Sequence, residues 1–279
     1  MSTEQLKELL SPYKMNKAVS DEFIRLYEKS QTGLARMSWK SMKSPDDSRL
    51  VRYDSLKVPE RAHLEAALAR IGVCKLNGGL GTTMGCRGAK SAIVVREKKT
   101  FIDLTADQIG ELNKKYHADI PLLFMNSFRT HSETERLAGK YRGNPEILTF
   151  CQNKFPRLLE DGDGFLGLDK FGSDVWYPPG HGDLYSCLAD QGYLNRLLSD
   201  GREILFVSNV DNLGAVLDLR ILHHMLNEDI PFLMEVVPKT AADTKGGTLY
   251  QEKGRIKLLE AANVPPEHIA EFCGQQKFK

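Results

Sequence analysis

The sequence predicts an α/β fold in which helices cover both faces of a mixed, mostly parallel sheet. Short apolar runs rich in β-forming residues alternate with helical patterns from residue 71 onward, and the connections between them are short. A run that is apolar throughout indicates a strand buried on both faces, as parallel strands usually are. The runs interpreted as strands are residues 71–76, 121–125, 204–208 and 232–237.

The chain ahead of the first strand is predicted to be helical. We interpret residues 1–70 as a helical N-terminal extension and residues 71–279 as the main domain. Ser20 is predicted to cap a helix whose apolar side includes Phe23. Pro59 is placed in the first turn of a second helix, where proline is tolerated.

The helices of the main domain are predicted from apolar residues at helical spacing. Residues 184–198 form one such pattern before the third strand, and residues 217–225 form another before the fourth. Gly254 lies between two short β-forming runs and therefore predicts a hairpin.

Composition and charge exclude several classes of protein. The 279 residues are 41% hydrophobic and 27% charged, with a formal net charge of +1, so we expect no nucleic-acid or membrane-surface ligand. No apolar run is long enough to span a membrane, and the charged N-terminus predicts no secretory signal. The five cysteines are an odd number and include no C-x-x-C pair, which favours a reducing cytoplasm over a disulfide framework or a zinc site.

The feature with the clearest chemistry is a glycine-rich loop, residues 76–90, that directly follows the first strand. It contains five glycines between Gly78 and Gly88. Glycine lets main-chain N–H groups approach a ligand without hindrance from a Cβ atom, and successive N–H groups form an anion-binding concavity. Because Arg87 and Lys90 add positive charge, we interpret the loop as a polyphosphate site. The alternative is a glycine turn with a purely structural role.

Two common phosphate-binding loops do not fit this sequence. The P-loop requires glycine immediately before its lysine, but Ala89 precedes Lys90. A G-x-G-x-x-G dinucleotide loop starts correctly at Gly79 and Gly81 but has Met84 at its last position. The loop is therefore neither of these two phosphate-binding loops.

The loop resembles the signature sequence of the UTP–glucose-1-phosphate uridylyltransferases, also called UDP-glucose pyrophosphorylases. A series of motifs in family order is far more specific than a single motif. The related UDP-N-acetylhexosamine pyrophosphorylases, which usually carry arginine where this chain has Thr83, are the second interpretation. Further matches to the first family occur at residues 100–104, 125–128, 152–154, 176–183, 208–215, 234–240 and 245–249.

The resemblance implies a Rossmann-like nucleotidyltransferase fold of the glycosyltransferase-A type. It also implies that UTP and glucose 1-phosphate are converted to UDP-glucose and pyrophosphate, by in-line attack of the sugar phosphate on the α-phosphorus, with Mg²⁺ as cofactor. In such a transfer the protein mainly positions the reactants and neutralises charge.

The resemblance further implies roles for individual residues. Lys90 would contact the nucleotide phosphates, His181 the sugar phosphate, and Asp211 the metal; these three are the implied catalytic residues. Gln152 would read uracil, because its amide offers both a donor and an acceptor. The other implied nucleotide-binding residues are Leu76, Gly78, Gly79, Gly81 and Gly180. The implied substrate-binding residues are Asn209, Lys239, Gly246 and Gly247.

The chain also departs from the family pattern. Ala89 stands where the family usually has proline, and Arg129 and His131 replace the usual asparagine and acidic residue. Family members typically continue well beyond residue 279, into further sugar-binding residues and a C-terminal β-helix domain. We therefore expect residues 71–279 to form a catalytic domain that is incomplete at its C-terminus and binds UTP with weak or no turnover. A catalytically weak nucleotide-sugar-binding module is the remaining alternative.

Overall fold

The structure is a computed structural model that describes residues 2–31, 39–81, 85, 88–141, 143–159, 164–165, 167–238 and 246–273. The chain divides into two compact units. Unit 1 comprises Met1–Glu28 and Pro59–His223, and unit 2 comprises Lys29–Val58 and His224–Lys279. The extension over residues 1–70 and the catalytic domain over residues 71–279 remain predictions.

Helices and strands are numbered here in chain order over the described residues. None of the described helices is both long and apolar enough to cross a membrane. The helices are α1 (Thr3–Leu10), α2 (Lys17–Gln31), α3 (Arg61–Leu68), α4 (Phe101–Tyr116), α5 (His131–Ala138), α6 (Leu168–Phe171), α7 (Leu184–Asp190), α8 (Tyr193–Ser199), α9 (Leu219–Asn227) and α10 (Ile269–Cys273). The strands are β1 (Ile71–Asn77), β2 (Val94–Arg96), β3 (Lys99–Thr100), β4 (Leu122–Asn126), β5 (Ile147–Cys151), β6 (Phe155–Pro156), β7 (Trp176–Tyr177), β8 (Ile204–Asn209), β9 (Thr248–Glu252) and β10 (Arg255–Leu259).

A parallel sheet of four described strands forms the centre of unit 1, in the order β5-β4-β1-β8. All three strand pairs are parallel, so their carboxyl ends lie at one edge; Leu76 of β1 is paired with Met125 of β4 and with Asn209 of β8. Strands β1 and β4 are almost wholly buried, which explains their continuous apolar sequences. The predicted α/β fold with a mostly parallel sheet flanked by helices is confirmed.

One face of this sheet is covered by α7 and α8. Cys74 and Leu123 of the sheet pack in one buried cluster with Leu184 and Cys187 of α7 and Leu197 of α8. The sequence pattern predicted a single helix over residues 184–198, and the structure has two. The break falls at Gly192, which has φ = 80°. This left-handed backbone conformation is readily adopted by glycine and ends the first helix.

The N-terminal helices of unit 1 begin at other residues than predicted. Helix α2 begins at Lys17, so Ser20 lies within the helix and not at its cap; instead the side chain of Asn16 accepts a hydrogen bond of 2.9 Å from the Ala18 N–H. Helix α3 begins at Arg61, which leaves Pro59 ahead of its first turn. In both cases the helix is confirmed and the predicted boundary residue is wrong. Apolar residues of α1 and α2 pack around Phe155.

Unit 2 contains the predicted hairpin. Strands β9 and β10 are antiparallel and are joined by Lys253 and Gly254, both with positive φ, as in a tight two-residue hairpin turn. The hairpin packs through Tyr250 and Leu259 in a buried cluster with Trp39, Met42, Val264 and Phe272.

The fourth predicted strand, residues 232–237, is not a strand in the structure. Phe232 is 65% exposed and Val237 is 78% exposed, and no described strand pairs with this segment. A strand needs both an apolar sequence and a neighbour that completes its hydrogen-bond ladder. The apolar pattern indicated the first condition and contained no information about the second.

Candidate functional site

A pocket of about 280 Å³ lies at the carboxyl edge of the parallel sheet in unit 1. Ligands of open α/β sheets bind outside this edge, at the point where the strand order reverses. That point is β1, because β4 follows on one side of it and β8 on the other. The pocket is lined by Leu76, Gly78, Gly79, Lys90, Met125, Gln152, Pro178, Gly180, His181, Asn209, Val210 and Asp211.

The pocket therefore brings together most of the residues implied by the resemblance. Residues separated by more than 130 positions in the chain meet there: Leu76, Gln152 and Asn209 lie at or just after the ends of β1, β5 and β8, and the glycine loop and the turn after β7 supply others. The implied residues found in the lining are Leu76, Gly78, Gly79, Lys90, Gln152, Gly180, His181, Asn209 and Asp211.

The glycine loop leaves β1 and is closed by main-chain hydrogen bonds between its two arms. The Gly81 N–H donates to the Gly88 carbonyl at 2.9 Å, and the Lys90 N–H donates to the Gly79 carbonyl at 3.2 Å. The N–H of Gly81 is thus engaged within the loop, and a nucleotide role for Gly81 stays a prediction. Arg87 lies outside the described residues.

A buried polar network supports the start of the loop. The Ser127 hydroxyl donates to the Gly78 carbonyl at 2.8 Å, and the Thr130 hydroxyl donates to the Asn77 carbonyl at 2.7 Å. The Asn77 amide in turn donates to Asn126 and to Thr134. Each of these side chains is buried. The network fixes the direction in which the glycine loop leaves the sheet.

Lys90 and Asp211 form an ion pair across the pocket. The distance from Lys90 Nζ to Asp211 Oδ2 is 3.0 Å, and the two side chains are 29% and 23% exposed. Both charges are partly withdrawn from water, so their electrostatic effect on a ligand is screened less than at an open surface. A cation and an anion therefore stand next to each other where a phosphate and a metal ion could bind.

Gln152 is held in place from two sides. Its Oε1 accepts a hydrogen bond of 2.9 Å from the Gly180 N–H, and a Cβ atom on Gly78 would overlap its Nε2. Gly180 has φ = 105°, a backbone conformation that residues with a Cβ atom rarely adopt. Position 78 therefore requires glycine for space and position 180 for its backbone conformation.

The turn after Gln152 is attached to the start of α7. Asp183 accepts hydrogen bonds from both the main-chain N–H and the side-chain amide of Asn153, at 2.6 and 2.9 Å. This contact joins residues 152–154 to residues 176–183, two of the motifs on which the resemblance rests. His181, in the second of these motifs, lines the pocket and is exposed.

Lys75, on the face of β1 opposite Cys74, is a buried cation that the sequence analysis did not single out. Its Nζ donates to the Ser208 hydroxyl at 2.7 Å and to the Ala215 carbonyl at 3.0 Å. Burial lowers the pKa of Lys75 to about 8. Because Ala215 ends the turn that carries Asp211, Lys75 connects that turn to the central strand. The only sequence signal was a lysine within an apolar strand.

The structure does not test the remaining implied substrate residues. Gly246 and Gly247 belong to unit 2, where a Cβ atom on Gly247 would lie 3.1 Å from Glu260 Oε2. Lys239 lies outside the described residues. The substrate-binding role of all three stays a prediction.

Asp211 could hold a metal ion only together with ligand oxygens. No group of three or more His, Cys, Asp or Glu side chains comes together in the described part of the chain. Mg²⁺ is commonly bound by one or two carboxylates, with substrate phosphates and water completing its shell. A single carboxylate beside a polyphosphate site fits that pattern.

The sequence is similar to one well-defined protein family. A profile of the family described as UTP–glucose-1-phosphate uridylyltransferase matches residues 20–279. The enzyme of that description from Musa acuminata is 48% identical over 263 residues, which cover 92% of this chain and 56% of that protein. The Saccharomyces cerevisiae enzyme is 46% identical over 266 residues, covering 92% of this chain and 52% of that protein. The chain spans about half the length of these curated relatives.

Solved structures of proteins with related names are similar to this chain in fold. A UDP-glucose phosphorylase from Trypanosoma brucei superposes with a TM-score of 0.84 at 33% identity, over 98% of this chain and 58% of that one. A mutant UDP-glucose pyrophosphorylase from Leishmania major, in complex with UDP-glucose, superposes with a TM-score of 0.85 at 31% identity, over 99% of this chain and 61% of that one.

Proposed function

This chain belongs to the UTP–glucose-1-phosphate uridylyltransferase family, and on that basis we propose that it forms UDP-glucose and pyrophosphate from UTP and glucose 1-phosphate. The single observation that supports this activity most strongly is the composition of one pocket. Main-chain groups of the glycine loop, the Lys90–Asp211 pair and the fixed Gln152 amide all face it at the carboxyl edge of the sheet.

The nucleotide is proposed to lie across β1, with its phosphates at the glycine loop. The main chain at Gly78 and Gly79 allows close approach, and Lys90 supplies a positive charge on a flexible stem. The uracil ring is proposed to lie beside Leu76, with its polar edge at Gln152. Because the Gly180 N–H already occupies the amide oxygen of Gln152, the Nε2 hydrogens are the groups left to donate to a uracil carbonyl.

The sugar phosphate is proposed to approach from the side of His181 and Asn209. One of its oxygens attacks the α-phosphorus of UTP in line, the bond from that phosphorus to the oxygen bridging to the β-phosphorus breaks, and pyrophosphate leaves. Little covalent chemistry is required of the protein, whose residues orient the two phosphates and stabilise the developing charge. Glucose recognition by Gly246 and Gly247, and a phosphate contact of Lys239, belong to the same proposal.

Asp211 is the residue proposed to hold Mg²⁺. The ion, when bound there with phosphate oxygens, would neutralise negative charge that develops during the transfer. Lys90 lies 3.0 Å from the same carboxylate, so its ammonium group is proposed to contact the phosphates beside the metal ion.

The activity is proposed to take place in the cytoplasm, without a nucleic-acid or membrane ligand. Four cysteines in the described part of the chain are free thiols, which suits a reducing compartment. The net charge of +1 gives no reason to expect an anionic polymer as a partner.

The proposal is tested by incubating the chain with Mg²⁺, UTP and glucose 1-phosphate and measuring UDP-glucose and pyrophosphate. We expect saturable UTP binding by calorimetry and equal amounts of the two products. The Asp211→Asn variant should bind UTP with weaker dependence on Mg²⁺ and form less product. Replacing glucose 1-phosphate by N-acetylglucosamine 1-phosphate should reduce the rate. A chain that neither binds UTP nor forms UDP-glucose contradicts the proposal.

A further inference from the structure

The second arm of the glycine loop is held by a residue that none of the implied roles includes. The Ala89 main-chain N–H donates a hydrogen bond of 2.8 Å to Glu133 Oε2, and Glu133 lies in the first turn of α5. Lys90 is the next residue in the chain. The carboxylate of Glu133 is therefore one peptide unit away from the proposed phosphate contact.

The same carboxylate occupies the space beside Gly88. A Cβ atom on Gly88 would lie 2.6 Å from Glu133 Oε2, closer than such contacts occur, and 3.2 Å from Oε1. Glycine at position 88 thus lets the loop approach α5 closely enough for the hydrogen bond to Ala89. One carboxylate is therefore packed against two consecutive residues of the loop, Gly88 and Ala89.

The hydrogen bond exists because residue 89 is not proline. Ala89 has φ = −61°, within the range that a proline ring imposes, but proline has no N–H to donate. In this chain a hydrogen bond from outside the loop can supply the restraint on the backbone that the ring would otherwise supply from within.

We propose that Glu133 is a positioning residue for the phosphate site, which fixes Ala89 and thereby the place of Lys90. Together with Ser127 and Thr130 at the first arm, it makes residues 127–133 a support for both ends of the glycine loop. Glu133 acts through the loop, and its effect rests on the proposed use of Lys90 as a phosphate contact.

The test is a double-mutant cycle between Glu133 and Ala89, measured as UTP affinity by calorimetry in the presence of Mg²⁺. Glu133→Ala removes the acceptor, and Ala89→Pro removes the donor while keeping φ near −65°. Glu133→Gln keeps an acceptor oxygen in a side chain of the same length. Glu135→Ala is the matched control, because Glu135 lies on the same helix and its carboxylate faces His131 and not the loop.

We expect Glu133→Ala to weaken UTP binding about tenfold, the loss typical of one charge-assisted hydrogen bond. The same change in the Ala89→Pro background should weaken it less than about twofold, since the donor is already absent and the ring holds the backbone. Glu133→Gln and Glu135→Ala should stay within about threefold of the original chain. The melting temperature of each variant is measured as well. It distinguishes a variant whose loop has moved from a variant that has lost its fold.

Two results would overturn the inference while leaving the proposed function intact. One is unchanged UTP affinity in a folded Glu133→Ala variant. The other is an equal loss in the original chain and in the Ala89→Pro background, which would show that Glu133 does not act through the Ala89 N–H. If Glu133→Ala does not fold, failure of the folded Glu133→Gln variant to restore binding overturns it as well. A chain that binds no UTP at all removes both the function and the inference.

Discussion

Lys90 and Asp211 form an ion pair in the pocket that is proposed to bind one anionic ligand. In the structure they neutralise each other across 3.0 Å, both partly buried. When a nucleotide binds, Lys90 can keep its distance to Asp211 and add a phosphate partner, because an ammonium group has three donors. The pair therefore keeps the lysine oriented before the substrate arrives.

The first prediction concerns the charge of Lys90. Lys90→Met should weaken UTP binding about 10- to 100-fold, since a hydrogen bond from a charged group is worth about 1.5–3 kcal/mol. Calorimetry with UTP and Mg²⁺ measures this loss. Lys99→Met is the control, because Lys99 pairs with Asp107 at the surface, away from the pocket. Equal affinities for the two variants would show that Lys90 does not contact the phosphates.

The second prediction follows from the buried Lys75. Its pKa is about 8 in the folded chain against 10.5 for an ordinary lysine. The unfolded state therefore binds more protons between these pH values, and stability due to this group rises as the pH increases from about 8 to 10.5. At lower pH, where Lys75 is charged in both states, its burial lowers the free energy of unfolding by about 3 kcal/mol.

Urea denaturation of the original chain and of Lys75→Met checks this effect. The difference in unfolding free energy between the two proteins should be constant below about pH 7 and should shift in favour of the original chain as the pH rises through 8 to 10.5. Comparing the two proteins removes the contribution of other groups that titrate in the same range. A difference that does not change with pH would mean that Lys75 is not buried as a cation.

The site residues could be anticipated from the sequence where they stand in motifs that carry the family resemblance. Lys90, Gln152, His181 and Asp211 were identified through motifs, and the structure places all four in one pocket. Glu133, in contrast, acts on a neighbouring main-chain group. Its partner at Ala89 is 44 residues away, and nothing in the local sequence indicates which N–H it accepts from.

At the scale of the element, the glycine loop is determined as much by its surroundings as by its own glycines. Gly78 is required because the amide of Gln152 occupies the space where a Cβ would be, and Gly88 because the carboxylate of Glu133 does. The sequence showed a dense set of glycines and suggested main-chain contacts with an anion. The structure adds that two of these glycines make room for other parts of the protein.

The third prediction concerns Gly78→Ala. The added methyl group should displace the Gln152 amide, which is almost fully buried and bonded to Gly180, and so disturb recognition of the base. We expect UTP affinity to fall about tenfold, because one fixed hydrogen bond to the base is lost. For the same reason the ratio of UTP affinity to CTP affinity should decrease.

Competition binding with the two nucleotides measures the effect of this substitution. Gly110→Ala is the control; a Cβ there would meet Pro145 at an ordinary distance of 3.6 Å, in helix α4, outside the pocket lining. If the Gly78→Ala variant kept the full preference for UTP, Gln152 would not be the residue that reads the base.

The strands of the sheet were predictable because a strand that is buried on both faces has a continuous apolar sequence. Residues 71–76, 121–125 and 204–208 each proved to be a strand, with no boundary shifted by more than one residue. Residues 232–237 have a similar composition and are exposed instead. The difference lies in hydrogen-bond partners, which depend on the order of strands in space and not on local composition.

At the scale of the whole molecule, the parallel sheet explains why the site can be assembled at all. The strands β1, β4, β5 and β8 run in one direction, so residues that follow them meet at a single edge. Unit 1 carries this edge, and nine of the residues implied by the resemblance line the pocket there. The chain covers about half the length of its curated relatives, so the activity proposed for it is one shared with longer proteins.

The central claim is that this pocket binds UTP, and a crystal structure of the chain with UTP and Mg²⁺ tests it most directly. We expect the phosphates at Gly78, Gly79 and Lys90, the uracil at Gln152, and the metal ion on Asp211. Clear density for the nucleotide at another place, with the pocket at the carboxyl edge of the sheet left empty, would contradict it.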